Sequence, residues 1–393
     1  MRPALLAALL LAASLVPDAR AADAPKRAPI PAPSGHDESI RHEVQRAIDR
    51  GTAWLLANQN SNGWWTTPDH PAVTALPLVA LNGEPSGKYL KAPTPAMLRG
   101  YAFLLASAKP DGGIYATNMA NYNTSISLLA LMSANRTDYD AVARKARAFI
   151  VGTQVDFGEK GRLDTPFDGG VGYGNKYSHS DLNNTLVALE ALHHSKRLIA
   201  DTQLAGAKDL DWQAAINFLQ NCQNLPAVNT QPWVSGDAAN KGGFIYYPGN
   251  SMAGGVTNST TGRVALRSYG SASYAGLLSY IYADLKRDDA RVTAALDWLR
   301  ANYTLTENPG MGPQGYYYYV HLMTKALTAA GVNELETKDG VKINWRREVA
   351  LRLMNLQKPD GSWMNDNARW WEKETPLTTS YSLIALELVW RGL

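Results

Sequence analysis

One eight-residue pattern recurs six times along this 393-residue chain, and it limits the possible folds more than any other feature. Five copies open with Thr or Ser, five carry Leu at the fifth position, and the seventh position is always small. Residues three or four positions apart share one helical face, so the pattern predicts six helices. We expect the opening hydroxyl to cap the first turn and the small residue to let neighbouring helices approach closely. The copies are residues 74–81, 124–131, 185–192, 273–280, 320–327 and 379–386.

A second helical stretch and a glycine-aromatic loop precede each copy, so the chain reads as six helical hairpins. We expect each glycine to end a helix in the left-handed conformation and the following aromatic to pack over the repeat boundary. The spacings between the loop glycines are 50, 57, 73, 72 and 46 residues, too irregular for an open solenoid of identical units. Neither end looks like a polar capping repeat, so we predict a closed ring, an all-α (α/α)6 toroid forming a single domain. The loop glycines are Gly63, Gly113, Gly170, Gly243, Gly315 and Gly361.

Two long insertions interrupt the repeats, at residues 157–177 and 223–269. In a ring of hairpins such insertions become loops at one rim. Loops on a rigid scaffold are where binding and catalytic residues concentrate, so we expect this rim to carry the functional site.

The N-terminal segment predicts export. A cationic Arg2, an apolar stretch and the small residues Ala19 and Ala21 resemble a secretory signal peptide over residues 1–21. Residues 22–35 are rich in Pro and Ala and suit an extended linker. We assign residues 36–393 to the toroid domain and expect the mature protein to be periplasmic or extracellular, with no integral membrane segment after cleavage.

Composition excludes several classes of protein. Hydrophobic residues make up 45% and charged residues 19%, as expected of a globular chain with a real core. The net charge is only +3, and the sequence has no long run of charges of one sign, so we expect no nucleic-acid partner. The single cysteine, Cys222, rules out an internal disulfide and a multi-cysteine zinc site, and we expect it to be a small buried hydrophobe.

A signature at the first hairpin resembles the QW motif of the prenyltransferase and squalene-oxidase repeat family. Arg50 and Gly51 are followed by Leu55, by Gln59 four residues later, and by Gly63 and Trp65. This family resemblance spans residues 42–389, and it implies an α/α toroid like that of squalene-hopene and other class II terpene cyclases. It also implies a structural role for the signature, with Gln joining the ends of adjacent helices and Trp stacking. Partial copies are Leu353, Gln357, Gly361 and Trp363, and Lys145, Ala146, Ile150 and Gln154.

The cyclase acid motif is altered in this chain. In class II cyclases the resemblance implies an Asp-x-Asp-Asp-Thr stretch at an inner helix, which protonates an alkene or epoxide. The matching residues here are Asp181, Leu182, Asn183, Asn184 and Thr185. An amide cannot protonate a carbon–carbon double bond, so the resemblance does not extend to acid-initiated cyclisation. Asp181 is left as a candidate weak acid, with the preceding His179 as a second catalytic candidate, and a helix N-cap is the alternative role for Asp181.

The zinc-dependent prenyltransferases of the same fold hold their metal with Asp, Cys and His. Cys222 is the only thiol and falls near the end of an outer helix, so we expect neither a metal nor another cofactor.

Aromatic residues cluster at or near the predicted starts of the inner helices. They can stabilise a carbocation, stack on sugar rings, or simply fill the core. The histidine at the second position of its pattern copy is also placed to reach a central cavity. Our candidate ligand-binding residues are Asn183, Asn184, Tyr269, Tyr274, Tyr316, Tyr317, His321, Trp370 and Trp371.

Three functions stay open. The first is binding of an apolar or isoprenoid molecule in an aromatic cavity. The second is a periplasmic carbohydrate-active lyase or hydrolase, with Glu372 or Glu374 near the tryptophan pair as conceivable acids. The third is a non-catalytic scaffold that binds protein. An uncharged apolar cavity favours the first, carboxylates beside tyrosines favour the second, and a cavity filled by side chains favours the third. The sequence leaves the oligomeric state undetermined.

Overall fold

The computed structural model describes residues 35–174, 179–200 and 208–393. The predicted signal peptide, and all but the last residue of the predicted linker, lie outside the described residues. Thirteen helices and two short hairpins of strands occupy the described part of the chain. The helices are α1 (Gly35–Ala57), α2 (Ala72–Gly83), α3 (Lys88–Lys91), α4 (Pro95–Ala106), α5 (Ala120–Ser133), α6 (Asp140–Val151), α7 (Leu182–His194), α8 (Trp212–Cys222), α9 (Gly270–Tyr282), α10 (Ala290–Ala301), α11 (Tyr316–Ala329), α12 (Trp345–Leu356) and α13 (Thr375–Gly392).

The strands are peripheral. Strand β1 (Gly255–Thr257) pairs antiparallel with β2 (Val264–Leu266) inside the second long insertion, and β3 (Leu335–Glu336) pairs with β4 (Lys342–Ile343) between α11 and α12. Leu266 and Leu335 are buried, so each hairpin packs one apolar residue into the core.

Six helices form a closed inner ring, which confirms the predicted toroid. Each inner helix contacts the next in the order α2, α5, α7, α9, α11 and α13. Helix α13 in turn contacts α2, which closes the ring. The outer helices α1, α4, α6, α8, α10 and α12 each pack against the inner ring. All six pattern copies fall inside the inner helices. Their small seventh residues are fully buried, as close helix packing requires: Ala80, Ala130, Ala191, Ser279, Ala326 and Ala385.

The opening hydroxyls do not cap their helices, contrary to our expectation. They lie inside the first turns and accept a hydrogen bond from a backbone N–H of the preceding loop. Thr379, for example, accepts from the N–H of Trp363 at 3.1 Å. Each hydroxyl therefore fixes the loop of its own hairpin to the inner helix. The other four pairs are Trp65 to Thr74, Ile114 to Thr124, Val171 to Thr185 and Phe244 to Ser273, at 2.8 to 3.1 Å.

The glutamines of the signature join neighbouring hairpins. Gln357 donates to the carbonyl of Gly361 at 2.8 Å, in its own loop, and to that of Ala47 at 2.9 Å, on α1. This contact closes the ring between the last hairpin and the first. Gln59 and Gln154 each bridge two hairpins in the same way. Gln223, which we did not assign to the signature from the sequence, makes a fourth bridge.

The tryptophans and glycines complete these boundaries. Trp363 is fully buried and donates its indole N–H to the Leu353 carbonyl at 2.8 Å. A Cβ on Gly51 would come within 2.8 Å of the Trp363 ring, so glycine is needed for that close approach. Gly361 has a φ of 96°, but α12 has already ended at Leu356, so this glycine does not terminate the helix as we expected. We call the bridging glutamine, the buried tryptophan and the hydroxyl-to-loop bond of a hairpin its boundary clamp.

Candidate functional site: an aromatic chamber on the toroid axis

A chamber of about 250 Å³ lies where the inner helices begin. Residues from the first turns of all six inner helices contribute to its wall, which places it on the axis of the ring. Six tyrosines and two tryptophans dominate the lining. The lining residues are His70, Val73, Met119, Tyr122, Tyr173, Asn183, Tyr246, Met252, Tyr269, Ser271, Tyr318, Trp370, Trp371, Leu377 and Tyr381.

Four of the candidate ligand-binding residues line this chamber: Asn183, Tyr269, Trp370 and Trp371. Asn183 is the second residue of α7 and stands where the family resemblance implies the proton donor. Its side-chain oxygen lies 3.4 Å from the Tyr318 hydroxyl, which donates to it. An uncharged amide therefore occupies the chamber wall at this position.

Five other candidates do not line the chamber: Asn184, Tyr274, Tyr316, Tyr317 and His321. Tyr274 is fully buried, with its ring centroid 5.6 Å from that of Tyr319. Tyr316 donates its hydroxyl to the Leu305 carbonyl at 2.6 Å, and Tyr317 packs edge-on against it. Successive helical residues point about 100° apart, so only one residue of the tyrosine run reaches the axis. That residue is Tyr318.

Asn184, another of these candidates, is absent from the chamber lining and is bonded to Asp181. It donates its backbone N–H to Asp181 Oδ1 at 2.9 Å and its side-chain amide to Oδ2 at 2.7 Å. Asp181 is thus the N-cap of α7, fully buried and absent from the chamber lining. Burial raises the pKa of this carboxyl to about 6, because desolvation disfavours its charged form more than the hydrogen bonds to Asn184 favour it.

The two candidate histidines lie apart from the chamber. The ring of His179 stacks at 4.5 Å from Tyr247, next to Phe167, and is not among the chamber-lining residues. His321 lies deeper along the axis, beyond Tyr318, with its ring 4.9 Å from Tyr381. Burial, followed by the charge of Lys325, holds the pKa of His321 well below its usual range, so this imidazole is neutral.

A layer of three tyrosines forms the floor of the chamber. The ring centroids of Tyr318 and Tyr381 lie 5.6 Å apart, and Tyr122 lines the same chamber. Burial raises the pKa of all three phenols, so they present neutral hydroxyls and aromatic faces. All three also line a second, larger cavity of about 670 Å³ on the other side of the layer.

The tryptophan pair forms the outer edge of the chamber. Trp370 and Trp371 are 39% and 46% exposed, and their backbones are in the left-handed region, with φ angles of 54° and 65°. Such angles are unusual for bulky residues and cluster at functional sites. The Trp371 ring meets His70 edge-on at 5.1 Å.

The acids near this pair do not enter the chamber. Glu372 is buried and accepts hydrogen bonds from the N–H of Tyr318 at 2.8 Å and from the Asn365 amide at 2.6 Å, so it caps α11. Glu374 is exposed at the start of α13. The chamber lining, as far as the described residues define it, contains no carboxylate.

Sequence reasoning missed most of the chamber tyrosines, although a signal existed. The position two residues before each pattern copy faces the axis in five of the six hairpins: Tyr122, Asn183, Ser271, Tyr318 and Leu377. Tyr173, Tyr246 and Met252 come from the two long insertions, so these loops do contribute to the rim as expected. No repeat position identifies them.

The described residues contain neither a membrane-spanning helix nor a cluster of metal ligands. No helix there is long and apolar enough to cross a bilayer. No group of three or more His, Cys, Asp or Glu side chains there is arranged to hold a metal ion. Cys222 is fully buried, as predicted.

Solved structures share the fold of this chain. A variant of the type II terpene cyclase MstE from Scytonema, in complex with geranylgeranyl dihydroxybenzoate, matches at a TM-score of 0.53 and 13% identity, covering 91% of this chain and all of the other. An inactive variant of an α-1,6-mannanase of Salegentibacter, in complex with α-1,6-mannotriose, matches at 0.55 and 11% identity, covering 89% and 100%. No protein-family model matches the chain. No curated protein matches its sequence.

Proposed function

We propose that this chain is an exported repeat protein of the terpene cyclase and prenyltransferase type that binds a small apolar or isoprenoid molecule in the aromatic chamber. Acid-initiated cyclisation is not part of this function. One observation supports the proposal above all: the wall is built of aromatic and apolar side chains, with the Asn183 amide at the proton donor's position.

The chamber lacks the group that a class II cyclase needs. Protonation of an alkene requires a strong acid that touches the substrate. Asp181 is the nearest acid in the motif, but both its oxygens are occupied by Asn184 and it does not reach the chamber. The neutral phenols and the amide are suited to hold a ligand, not to protonate it.

The size and chemistry of the chamber suit a compact ligand. Its volume of about 250 Å³ lies just below the roughly 300–1,000 Å³ of typical small-molecule sites, which are mostly apolar with a few polar groups. The MstE complex is an example of this fold holding a geranylgeranyl compound.

A glycan-active enzyme is the second candidate, favoured by the exposed Trp370 and Trp371 and by the mannanase neighbour. Aromatic faces at a cavity mouth can stack on sugars. A typical glycosidase, however, needs two carboxylates flanking the scissile bond, and Glu372 and Glu374 do not line the chamber.

A fluorescence titration separates these candidates, since two tryptophans lie at the mouth of the chamber. We expect geraniol, a ten-carbon prenol, to change the emission of the mature protein saturably and α-1,6-mannotriose to leave it unchanged. Trp371→Ala should weaken prenol binding at least fivefold. The matched control is Trp390→Ala, at the far end of α13, which should bind as the wild type does. Saturable binding of mannotriose without binding of the prenol would overturn the proposal.

A further inference from the structure

The second cavity, beyond the tyrosine layer, has a chemistry of its own. It lies where the inner helices end, as shown by its lining residues Ser133, His194, Tyr282 and Ala329 near the ends of α5, α7, α9 and α11. Its volume of about 670 Å³ is within the range of small-molecule sites. We call it the lower chamber.

The lower chamber has a largely apolar lining, and its charged residues all come from one half of the ring. Helices α13, α2 and α5 contribute mainly aliphatic side chains, several of them only half-buried although they lie inside the ring: Val79, Leu129, Met132, Ile384 and Leu388. Helices α7, α9 and α11 contribute the polar residues Glu190, His193, His194, Tyr282, His321 and Lys325. Half-buried apolar side chains gathered in one cavity mark a binding surface.

An ion pair lies in the polar wall. Lys325 contacts Glu190 Oε1, and Tyr282 donates its hydroxyl to the same oxygen at 3.2 Å. The two charged side chains are only 15% and 8% exposed. Burying an ion pair costs desolvation energy and is weak evidence for a role in stability, so its presence in a cavity wall calls for another explanation.

A further polar atom in this wall lacks a partner. The Nδ1 atom of His321 is buried without a hydrogen-bond partner, and the residue is only 5% exposed. Buried polar groups are normally satisfied, and each exception requires an explanation. A ligand hydroxyl could satisfy His321 while also bonding to Glu190 or Lys325.

We propose that the lower chamber binds an uncharged amphiphile, a long-chain primary alcohol, with its chain along the aliphatic wall and its hydroxyl among Glu190, Lys325 and His321. A hydroxyl both donates and accepts, which suits a carboxylate beside an ammonium. Lys325 already neutralises Glu190, and the helix C-termini around the chamber carry partial negative charge. An anionic head group is therefore disfavoured by the helix ends, and a cationic one by Lys325.

Calorimetric titration of the mature protein with 1-decanol tests this inference independently of the aromatic chamber. We expect saturable binding that weakens at least tenfold in the double variant E190Q/K325Q. The matched control is D284N/K196Q, which removes an exposed ion pair outside the chamber and should bind within twofold of wild type. Decanoate, with the same chain and a charged head, should bind at least tenfold more weakly than 1-decanol.

Two variants locate the ligand within the ring. Leu129→Trp should fill the lower chamber and abolish binding of 1-decanol, and Met132→Trp serves the same purpose should the first variant melt below the assay temperature. Trp390→Ala, outside both chambers, should leave this binding unchanged. The inference is overturned if the wild type does not bind 1-decanol, if E190Q/K325Q binds it as the wild type does, or if decanoate binds more tightly.

Discussion

The hairpin boundaries and the toroid axis are formed by the same helices, but they follow opposite rules. At the boundaries the same contacts recur: a glutamine bridges to the next outer helix and a hydroxyl holds the loop. On the axis, equivalent positions hold Tyr122, Asn183 and Ser271. The contrast teaches that the repeated residues maintain the ring, whereas the residues that vary between repeats give the chambers their chemistry.

Two tryptophans near α13 provide the largest test of this contrast. Trp363 is fully buried in a boundary clamp, whereas Trp371 is 46% exposed at the chamber mouth. We expect Trp363→Ala to lower the free energy of unfolding by about 3–5 kcal/mol, as for other buried aromatics. Trp371→Ala should change it by less than about 0.5 kcal/mol, since surface substitutions generally do. Chemical denaturation measures both, and equal losses would contradict the division between boundary and axis.

Asp181 caps α7 and belongs neither to a boundary clamp nor to the chamber lining. The pH dependence of the stability that it contributes therefore sharpens the comparison. Its folded pKa of about 6 lies above the unfolded value of about 3.9, so the native state binds the proton more tightly. The stability this residue contributes is complete below about pH 4 and is lost as pH rises through about 6.

We therefore expect the free energy of unfolding of Asp181→Asn to rise relative to that of the wild type by about 2 kcal/mol between pH 4 and pH 8. Thermal denaturation across this range checks the sign. Prenol binding should stay within twofold of wild type, because Asp181 caps α7 and does not line the chamber. Loss of binding in this variant would instead place Asp181 at the ligand.

The glutamine that closes the ring should have a smaller effect. Gln357→Leu removes the donor to the Gly361 and Ala47 carbonyls, and an unsatisfied buried group costs about 1–3 kcal/mol. The adjacent Lys358→Ala, whose side chain takes no part in the bridge, is the control and should have almost no effect. Urea denaturation compares the two variants, and equal stability would show that the bridge does not hold the ring closed.

The smallest effect is expected at a loop hydroxyl. Thr379→Val keeps the shape of the side chain but leaves the Trp363 N–H without its acceptor, for a loss of about 1 kcal/mol. The α11 copy carries Val320 at this position, so the ring tolerates the change. A melting-temperature comparison measures it, and a loss as large as that of Trp363→Ala would mean that the hydroxyl, not the tryptophan, organises the boundary.

The repeated features were predictable from the sequence because they are local and recur. The inner helices, the closed ring and the bridging role of Gln59, Gln154 and Gln357 all follow from spacing or from the family resemblance, and the structure confirms them. The hydroxyl role was predicted wrongly, because a Thr inside a first turn and a Thr at an N-cap differ by only a few residues in sequence.

The chamber lining was predictable only in part. Tyr316 to Tyr319 appear equivalent in the sequence, and only the helix rotation selects Tyr318. Tyr173 and Tyr246 reach the axis from insertions whose course no repeat determines. The ion pair of Glu190 and Lys325 joins residues far apart in sequence, on α7 and α11, so only the closed ring brings them together.

Native mass spectrometry of the mature protein purified from its own host, followed by denaturing extraction, tests the central claim most directly. We predict that the Leu129→Trp variant, whose lower chamber is filled, retains an isoprenoid or another small apolar molecule, and that adding Met252→Trp, which narrows the aromatic chamber, releases it. Retention of an oligosaccharide in its place, or an apolar molecule retained equally by the double variant, would contradict the account.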